Sequence, residues 1–519
     1  MPDSALPTVD HCPNGGVDLA AAGVESDCVP PTGLRLWPRV GNVRQRERLY
    51  YAVDYMIVCI MIDRDAELDW LVSHLHRDER QLLVLYGRRR IGKTTLVTAA
   101  LNTLEMETVY YLCDQRGSAH NAEQFATQCA DSLNDVAPAV DGFVDAFRYL
   151  KNRIDGPCVV ALDEFSYLVA EDESIPSVFQ TIVDDVLAGT EISLVLLGSS
   201  ISMMEEGVLS YQSPLYGRRT GQWELAPLAF ADAREFFPDY DIETQIETYS
   251  ILGGVPAYLE QFDFTDSLLS NVETHVLSKG EFLYEEPEFL LRQELREPAT
   301  YMAILEAIAS GATRVTEIAN EIGRDASGIS RYLQNLSNLA LVIRETPVTD
   351  PDSRGVYRIA DDFLRFWFRF VAPNRGALEQ GRTRSVRQSV ADALATHTSQ
   401  TFETVCHQAV GRSAFPVTCD RVGRWWYDGD EIDVVGLNPQ TDTLLLGECK
   451  WTTTPIGTDL LADLEALTPE VRWHTGDRTI EYALFSRSGF TDELETLGDE
   501  RTDVHLFSLD ELAAIFDAT

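Results

Sequence analysis

The sequence predicts an α/β protein: a parallel sheet flanked by helices, then a helical lid, a helical unit with a β-hairpin, and a smaller α/β domain. Three observations carry this reading. Apolar runs of strand length alternate with helix-length stretches from Ile62 onward, the pattern of a parallel sheet covered on its faces. A glycine loop joins the first such strand to the first such helix. The 519 residues give room for about three domains at roughly 100–200 residues each.

Residues 1–55 lack sustained periodicity and read as a flexible extension, or as sequence upstream of a true start at Met56 or Met61. Strands are expected at 81–86, 108–113, 158–162 and 192–197, with a helix over 93–104. These define a nucleotide-binding core over 56–228, followed by a helical lid over 229–298 that Gly253-Gly254-Val255-Pro256 interrupts. Residues 299–372 read as a winged helix-turn-helix, with helices over 301–309, 315–322 and 327–339 before two short strands. An Arg-rich linker, 373–389, leads to a last α/β domain over 390–519.

The formal charge of −41 comes from 83 acids against 42 bases, and only Lys93, Lys151, Lys279 and Lys450 are lysines. Dispersed carboxylates with scarce lysine are the composition of halophilic proteins. In about 1 M salt the Debye length is roughly 3 Å, so net charge does not exclude a DNA partner. Nine cysteines without a C-x-x-C pair point to reduced thiols and a cytoplasmic location. The apolar run from Tyr55 to Ile62 is far short of the ~20 residues that span a bilayer, so no membrane association and a soluble protein are expected.

Gly87-Arg88-Arg89-Arg90-Ile91-Gly92-Lys93-Thr94-Thr95 fits the phosphate loop G-x-x-x-x-G-K-S/T, between an apolar strand and a helix. Backbone N–H groups and the helix N-terminus would cradle the phosphates of ATP, Lys93 would contact the β- and γ-phosphates, and Thr94 would ligate Mg²⁺. Asp163, ending an apolar strand, would hold the Mg²⁺ water shell, and Glu164 would polarise the attacking water. This is a P-loop NTPase core. Ser199 could sense the γ-phosphate, or it and Ser200 could cap the next helix. Arg218 or Arg219 could serve as an arginine finger in a homo-oligomer, or as a structural ion-pair residue.

These residues, with Ile62-Asp63-Arg64-x-x-Glu67-Leu68, Leu162-Asp163-Glu164-Phe165, Gly198-Ser199-Ser200, Leu215-Tyr216-Gly217-Arg218-Arg219 and Gly253-Gly254-x-Pro256, resemble the archaeal ATPase family, itself similar to AAA+ and STAND ATPases. The resemblance covers about 60–519 and implies a winged helix and a nuclease-like C-terminal domain. It also implies that Arg64 borders the adenine pocket.

In the winged helix, Arg324, Ser327, Ser330 and Arg331 are the expected exposed positions, types that contact phosphates and base edges. Six arginines between 363 and 390 face one acid, Glu379, the best local footprint for DNA. Docking of a protein is the alternative use of such a module. Near the C-terminus, strands at 431–437 and 443–450 fold as a hairpin about Gln440, which brings Asp433 within one residue of opposing Glu448. Alternation puts Glu448 and Lys450 on one face, where two carboxylates could bind Mg²⁺ and Lys450 could position the nucleophile. Asp433 and Glu448-x-Lys450 resemble the PD-(D/E)xK nuclease core, with Glu403 matching its upstream acid and Ile432 replacing its proline. A surface hairpin in an acid-rich chain is the alternative. The combined expectation is a Mg²⁺-dependent ATPase coupled to DNA binding and metal-dependent cleavage. Its rivals are an ATP-controlled switch with an inactive nuclease fold, and a transcription regulator.

Overall fold

A computed structural model describes residues 64–474 and 476–518. The extension expected over 1–55, the alternative starts and Ile62-Asp63 lie outside the described residues.

The first sheet has five parallel strands in the order β2-β3-β4-β1-β5: β1 (Leu82–Tyr86), β2 (Glu107–Leu112), β3 (Cys158–Asp163), β4 (Ile192–Gly198) and β5 (Gly221–Glu224). Strands β1, β3 and β4 are buried along their whole length, which is why they read as continuous apolar runs rather than alternating ones. On one face Leu83, Leu85, Val159 and Val195 pack against helices α1 (Asp65–Leu75) and α2 (Lys93–Thr103) through Leu71, Leu75, Leu96 and Val97. On the other, Val84, Val160 and Leu196 meet Phe125 of α3 (Ser118–Ser132) and Phe147 of α4 (Phe143–Lys151). Because β1, β4 and β3 are neighbours, the loop after β1, the acids after β3 and the serines after β4 converge at the carboxyl end of the sheet. Ligands of open α/β sheets bind at that edge.

Beyond β5 the chain is helical. Helix α5 (Phe165–Glu171) lies earlier, between β3 and β4 after the Asp163-Glu164 pair; past β5, α6 (Ile242–Leu252) precedes the glycine turn and α7 (Phe282–Glu294) ends the expected lid. Then come α8 (Pro298–Ala309), α9 (Val315–Glu321), α10 (Ala326–Asn338) and an antiparallel pair of strands, β6 (Val342–Glu345) and β7 (Val356–Ile359). Asp325 caps α10 by accepting from Ser327 N at 3.0 Å. The side chain of Asp361 caps α11 (Asp362–Phe366) by accepting from Leu364 N at 2.7 Å.

The segment expected as an Arg-rich linker is mostly helical. Its last part, 383–389, is the start of α12 (Thr383–Val410), a helix of 28 residues. Two of its four arginines are ion-paired, Arg375 with Glu288 and Arg387 with Glu273 at 3.1 Å, while Arg382 and Arg384 are exposed; Arg365, ahead of the linker, is buried and lies 2.8 Å from Asp362. One continuous apolar core runs from Leu228 to Phe516, so lid, helix–hairpin unit and C-terminal segment share their interior.

The last sheet is mixed, with order β12-β11-β10-β9-β8: β8 (Arg421–Tyr427), β9 (Asp430–Asn438), β10 (Thr443–Lys450), β11 (Thr479–Ser486) and β12 (Val504–Phe507). Strands β8, β9 and β10 are antiparallel neighbours, while β10, β11 and β12 run parallel. No helix among the described residues is long and apolar enough to cross a membrane. The six described cysteines are free thiols.

Candidate functional site

The glycine loop is built around Gly92, whose φ of 92° at the start of α2 is open to glycine and strained for other residues. Lys93 folds back over the loop and donates from Nζ to the carbonyls of Gly87 and Arg88, at 2.8 Å each. Burial lowers its pKa to about 8, against the opposing pull of Glu164 and Asp163. Thr94 Oγ1 donates to Asp163 Oδ2 at 2.5 Å, and Tyr110 Oη donates to the same oxygen at 2.7 Å. Glu164 adopts a left-handed backbone (φ 53°), and Ser199 Oγ donates to its Oε1 at 2.8 Å.

Of these groups Lys93, Thr94, Glu164 and Ser199 line a cavity of about 350 Å³, a size suited to a small ligand, while Asp163 and Tyr110 stay off its wall and connect to it through Thr94. Arg89, Arg90, Ile91, Gly92, Lys93, Thr94 and Thr95 face it, together with Arg64, Glu164 and Ser199. Arg64 is anchored by Ala226 O at 2.7 Å and Glu67 at 2.8 Å. Pro256 and Ala257 close one side, held there because Gly254 packs onto the backbone of Leu228, where a Cβ would overlap it. Gly87 and Arg88 do not line this cavity. The Arg88 guanidinium is buried in an ion pair with Asp361 and lies 3.3 Å from Tyr258 Oη. Burial opposes the Arg88 charge, but Asp361 more than offsets it and raises the pKa.

The other two loop arginines also reach outward. Arg89 Nε is 2.7 Å from Glu294 of α7, and Arg90 pairs with Glu286 of the same helix while its guanidinium lies 4.4 Å from the Phe282 ring centre. By distance these are ion pairs, yet Arg89 Nε and Arg90 Nη1 lack hydrogen-bond alignment. The carboxylates are close without being well directed, so charge contributes more than hydrogen bonding to these contacts. Sequence reading missed Tyr110, Tyr258, Glu286, Glu294 and Asp361. Only Tyr110 left a trace: it sits on the strand that neighbours β3.

A second cavity, about 270 Å³, adjoins the first and shares Arg89, Glu164 and Ser199 with it. Gln115, Ser200, Ser202, Gln293 and the end of α10 (Asn335, Asn338) complete its polar wall. Ser200 stands at the start of the next helix but makes no side-chain cap. Neither Arg218 nor Arg219 lines either cavity. Arg218 is held by Asp184 at 2.7 Å, and Arg219 donates to Leu209 O at 2.9 Å and stacks over Tyr216. Within this chain both side chains are engaged away from the two cavities.

In the C-terminal sheet the ladder pairs Gly447 with Val434, which sets Glu448 directly across from Asp433. Lys450 Nζ lies 2.5 Å from Glu448 Oε2 and 3.8 Å from Asp433 Oδ2, and Cys449 N donates to Asp433 Oδ2 at 3.1 Å. Burial, then the Asp433 charge, raise the Glu448 pKa, with Lys450 opposing. Glu403 does not join them as a third ligand. Its carboxylate faces the Arg424 guanidinium at 3.4 Å, and burial lifts its pKa to about 7. Among the described residues no group of three or more His, Cys, Asp or Glu is placed to hold a metal ion. The expected three-carboxylate site is therefore reduced to a lysine-bridged pair.

The family described as an ATPase domain predominantly from Archaea matches residues 61–262, and one described as archaeal and bacterial proteins of unknown function matches 367–460. An uncharacterized protein of Methanocaldococcus jannaschii is 36% identical over 404 residues, 76% of this chain and 88% of that protein. The Walker-type ATPase PABY2304 of Pyrococcus abyssi is 20% identical, covering 60% of this chain and 96% of its own, at a TM-score of 0.44. The ORC2 protein of Aeropyrum pernix, solved as ADPNP–ADP complexes, is 14% identical, covering 62% and 95%, at 0.39. The glycine loop with its lysine, the Asp163-Glu164 strand end and the long match to the jannaschii protein together place this chain in the archaeal ATPase family, as a P-loop ATPase.

Proposed function

We propose that the chain is a Mg²⁺-dependent ATPase whose turnover governs DNA engagement by its C-terminal half. The observation that carries the first part is that Lys93, Thr94, Glu164 and Ser199 face one cavity, with Thr94 bonded to Asp163 and Ser199 to Glu164. The donor set fits Mg²⁺: a hydroxyl and a carboxylate oxygen meet at 2.5 Å beside the phosphate loop. When bound, Mg²⁺ supplies charge neutralisation at the phosphates. Lys93 and the loop N–H groups orient the phosphates, and Asp163 is held in place by Thr94 and Tyr110. Glu164 takes the proton of the attacking water as its oxygen bonds to Pγ. The bond from Pγ to the β,γ-bridging oxygen breaks, and its electron pair leaves with ADP.

The DNA reading rests on α8, α9, α10 and the β6–β7 hairpin, an order of elements that suits a winged helix, with Arg324, Ser327, Ser330 and Arg331 exposed on or beside α10. Of the linker arginines, Arg382 and Arg384 are exposed and available to it, whereas Arg375 and Arg387 are paired with acids. The Asp433/Glu448/Lys450 cluster is the proposed place for metal-dependent phosphodiester cleavage. A second reading, an ATP-controlled switch whose C-terminal sheet only docks a partner, is favoured by the Arg424–Glu403 pairing, which removes one ligand. Supercoiled and linear DNA with Mg²⁺ in high salt, with and without ATP, separates the two. Nicking that Lys450→Ala abolishes supports the nuclease; ATP hydrolysis without cleavage supports the switch.

A further inference from the structure

We propose that Arg89 is the γ-phosphate ligand of this ATPase, an arginine finger supplied by the phosphate loop itself, and that Glu294 of the lid helix is its competing anion. The proposal deepens the ATPase reading and rests on it.

Four observations converge on Arg89. It lines both adjoining cavities, and the other groups it shares with both are Glu164 and Ser199, the proposed base and sensor. It belongs to the same loop as Lys93 and adds positive charge beside it, one of the influences that lower the lysine pKa. Its partners in this structure come from elements that flank the phosphate end: Glu294 at 2.7 Å and Gln293 at 2.7 Å from α7, and the Tyr167 hydroxyl from α5. Its Nε faces Glu294 without hydrogen-bond alignment, so that contact can be exchanged for a better-shaped anion.

Glu294 is itself mostly buried, and burial raises its pKa while Arg89 and Lys93 lower it and Glu164 raises it. It therefore sits among the charges that would surround a γ-phosphate. A carboxylate and a phosphoryl group cannot share one guanidinium at such a site without repulsion. Binding of ATP moves Arg89 from Glu294 onto the γ-phosphate, and α7 loses one of its ties to the loop. In hydrolysis Arg89 bears on charge that grows on the γ-phosphoryl oxygens as the bond to the bridging oxygen breaks and the water oxygen bonds to Pγ. After phosphate leaves, Glu294 recaptures Arg89. ADP, which lacks the γ-phosphate, leaves the tie closed.

The test uses the full chain and three variants, Arg89→Ala, Arg89→Lys and Glu294→Gln. Affinities for ADP and a slowly hydrolysed ATP analogue are measured, with ATP turnover and ADP trapping by aluminium fluoride. Arg89→Ala is expected to keep ADP affinity within about threefold, to lose the preference for the ATP analogue and fluoride trapping, and to lower turnover about 10³-fold. Arg89→Lys restores part of the turnover. Glu294→Gln, which keeps size and removes charge, tightens binding of the ATP analogue several-fold and leaves ADP binding unchanged. Wild-type turnover and trapping in Arg89→Ala would overturn the proposal, as would unchanged ATP-analogue affinity in Glu294→Gln. If the wild-type chain bound neither nucleotide, the ATPase reading itself would fall, and the proposal with it.

Discussion

Ser199 donates its hydroxyl to Glu164 across 2.8 Å, joining the end of β4 to the acid after β3. The other carboxylate oxygen of Glu164, Oε2, is buried with no hydrogen-bond partner among the described residues. A carboxylate held on one oxygen and open on the other is oriented for a single further hydrogen bond, which suits a water beside the γ-phosphate. Ser199→Ala should release that orientation: turnover falls about tenfold to a hundredfold while nucleotide affinity holds, because general-base catalysis contributes about 10²–10⁴ in rate. Steady-state kinetics with separate kcat and KM would check this. Equal loss in ATP affinity would contradict it.

Lys93 gives the site a pH limit. Its charged form holds the phosphates, and burial has brought its pKa down to about 8. As pH rises through that value the ammonium deprotonates, so kcat/KM for ATP, which reports the free enzyme, should fall about tenfold per pH unit above it. A profile flat to pH 9.5 would contradict the assignment. Lys93→Ala should lose ATP turnover altogether.

Arg88 and Asp361 form an ion pair whose side chains are only 6% and 2% exposed. Removing one partner leaves a buried charge uncompensated, at a cost of about 3–5 kcal/mol. Asp361 also caps α11, so Asp361→Ala should lower the denaturation midpoint sharply, and Asp361→Asn should recover the cap but not the charge. Chemical denaturation of the two variants measures the difference. Equal midpoints for wild type and Asp361→Ala would refute the buried-pair account.

At the C-terminal sheet Glu403 has a pKa raised to about 7, and Glu448 is raised in the same direction. A carboxyl whose folded pKa lies above its unfolded one stabilises fully below the unfolded value, near 4.5, and that contribution is lost as pH rises through about 7. Stability at pH 8 relative to pH 5 should therefore improve in Glu403→Gln or Glu448→Gln relative to wild type, read from urea midpoints at both pH values. An unchanged pH dependence in both variants would contradict the burial of these groups. Asp433→Ala should abolish any metal-dependent cleavage and leave ATP turnover intact.

Much of this was legible because the relevant signals are local. Strands β1, β3 and β4 are short apolar runs that end in loop residues, so the sequence itself says which groups gather at the sheet edge. The hairpin about Gln440 is similarly local, and the observed register differs from a simple fold by one residue, bringing Glu448 opposite Asp433. Partners of the loop arginines were not legible. With 83 acids in the chain, nothing local selects Glu286, Glu294 or Asp361, which lie some 200 residues or more away and are chosen by packing. The second half of α12, over 399–410, reads as a helix from the sequence, but its first half does not: buried His397 and Thr398 follow Val390 and Leu394, so polar residues interrupt its apolar stripe. Arg365 donates to His397 O at 3.0 Å and to the Thr401 hydroxyl at 2.5 Å, satisfying some of the buried polar groups of the helix.

The proposed function depends on ATP hydrolysis at the cavity lined by Lys93, Thr94, Glu164 and Ser199, with Asp163 bonded to Thr94. Its most direct test is phosphate release by the full chain with Mg²⁺ and ATP in high salt, beside Glu164→Gln, with ATP binding measured on both. The account predicts turnover by the wild type and bound but unhydrolysed ATP in the variant. Turnover by Glu164→Gln at the wild-type rate would contradict it.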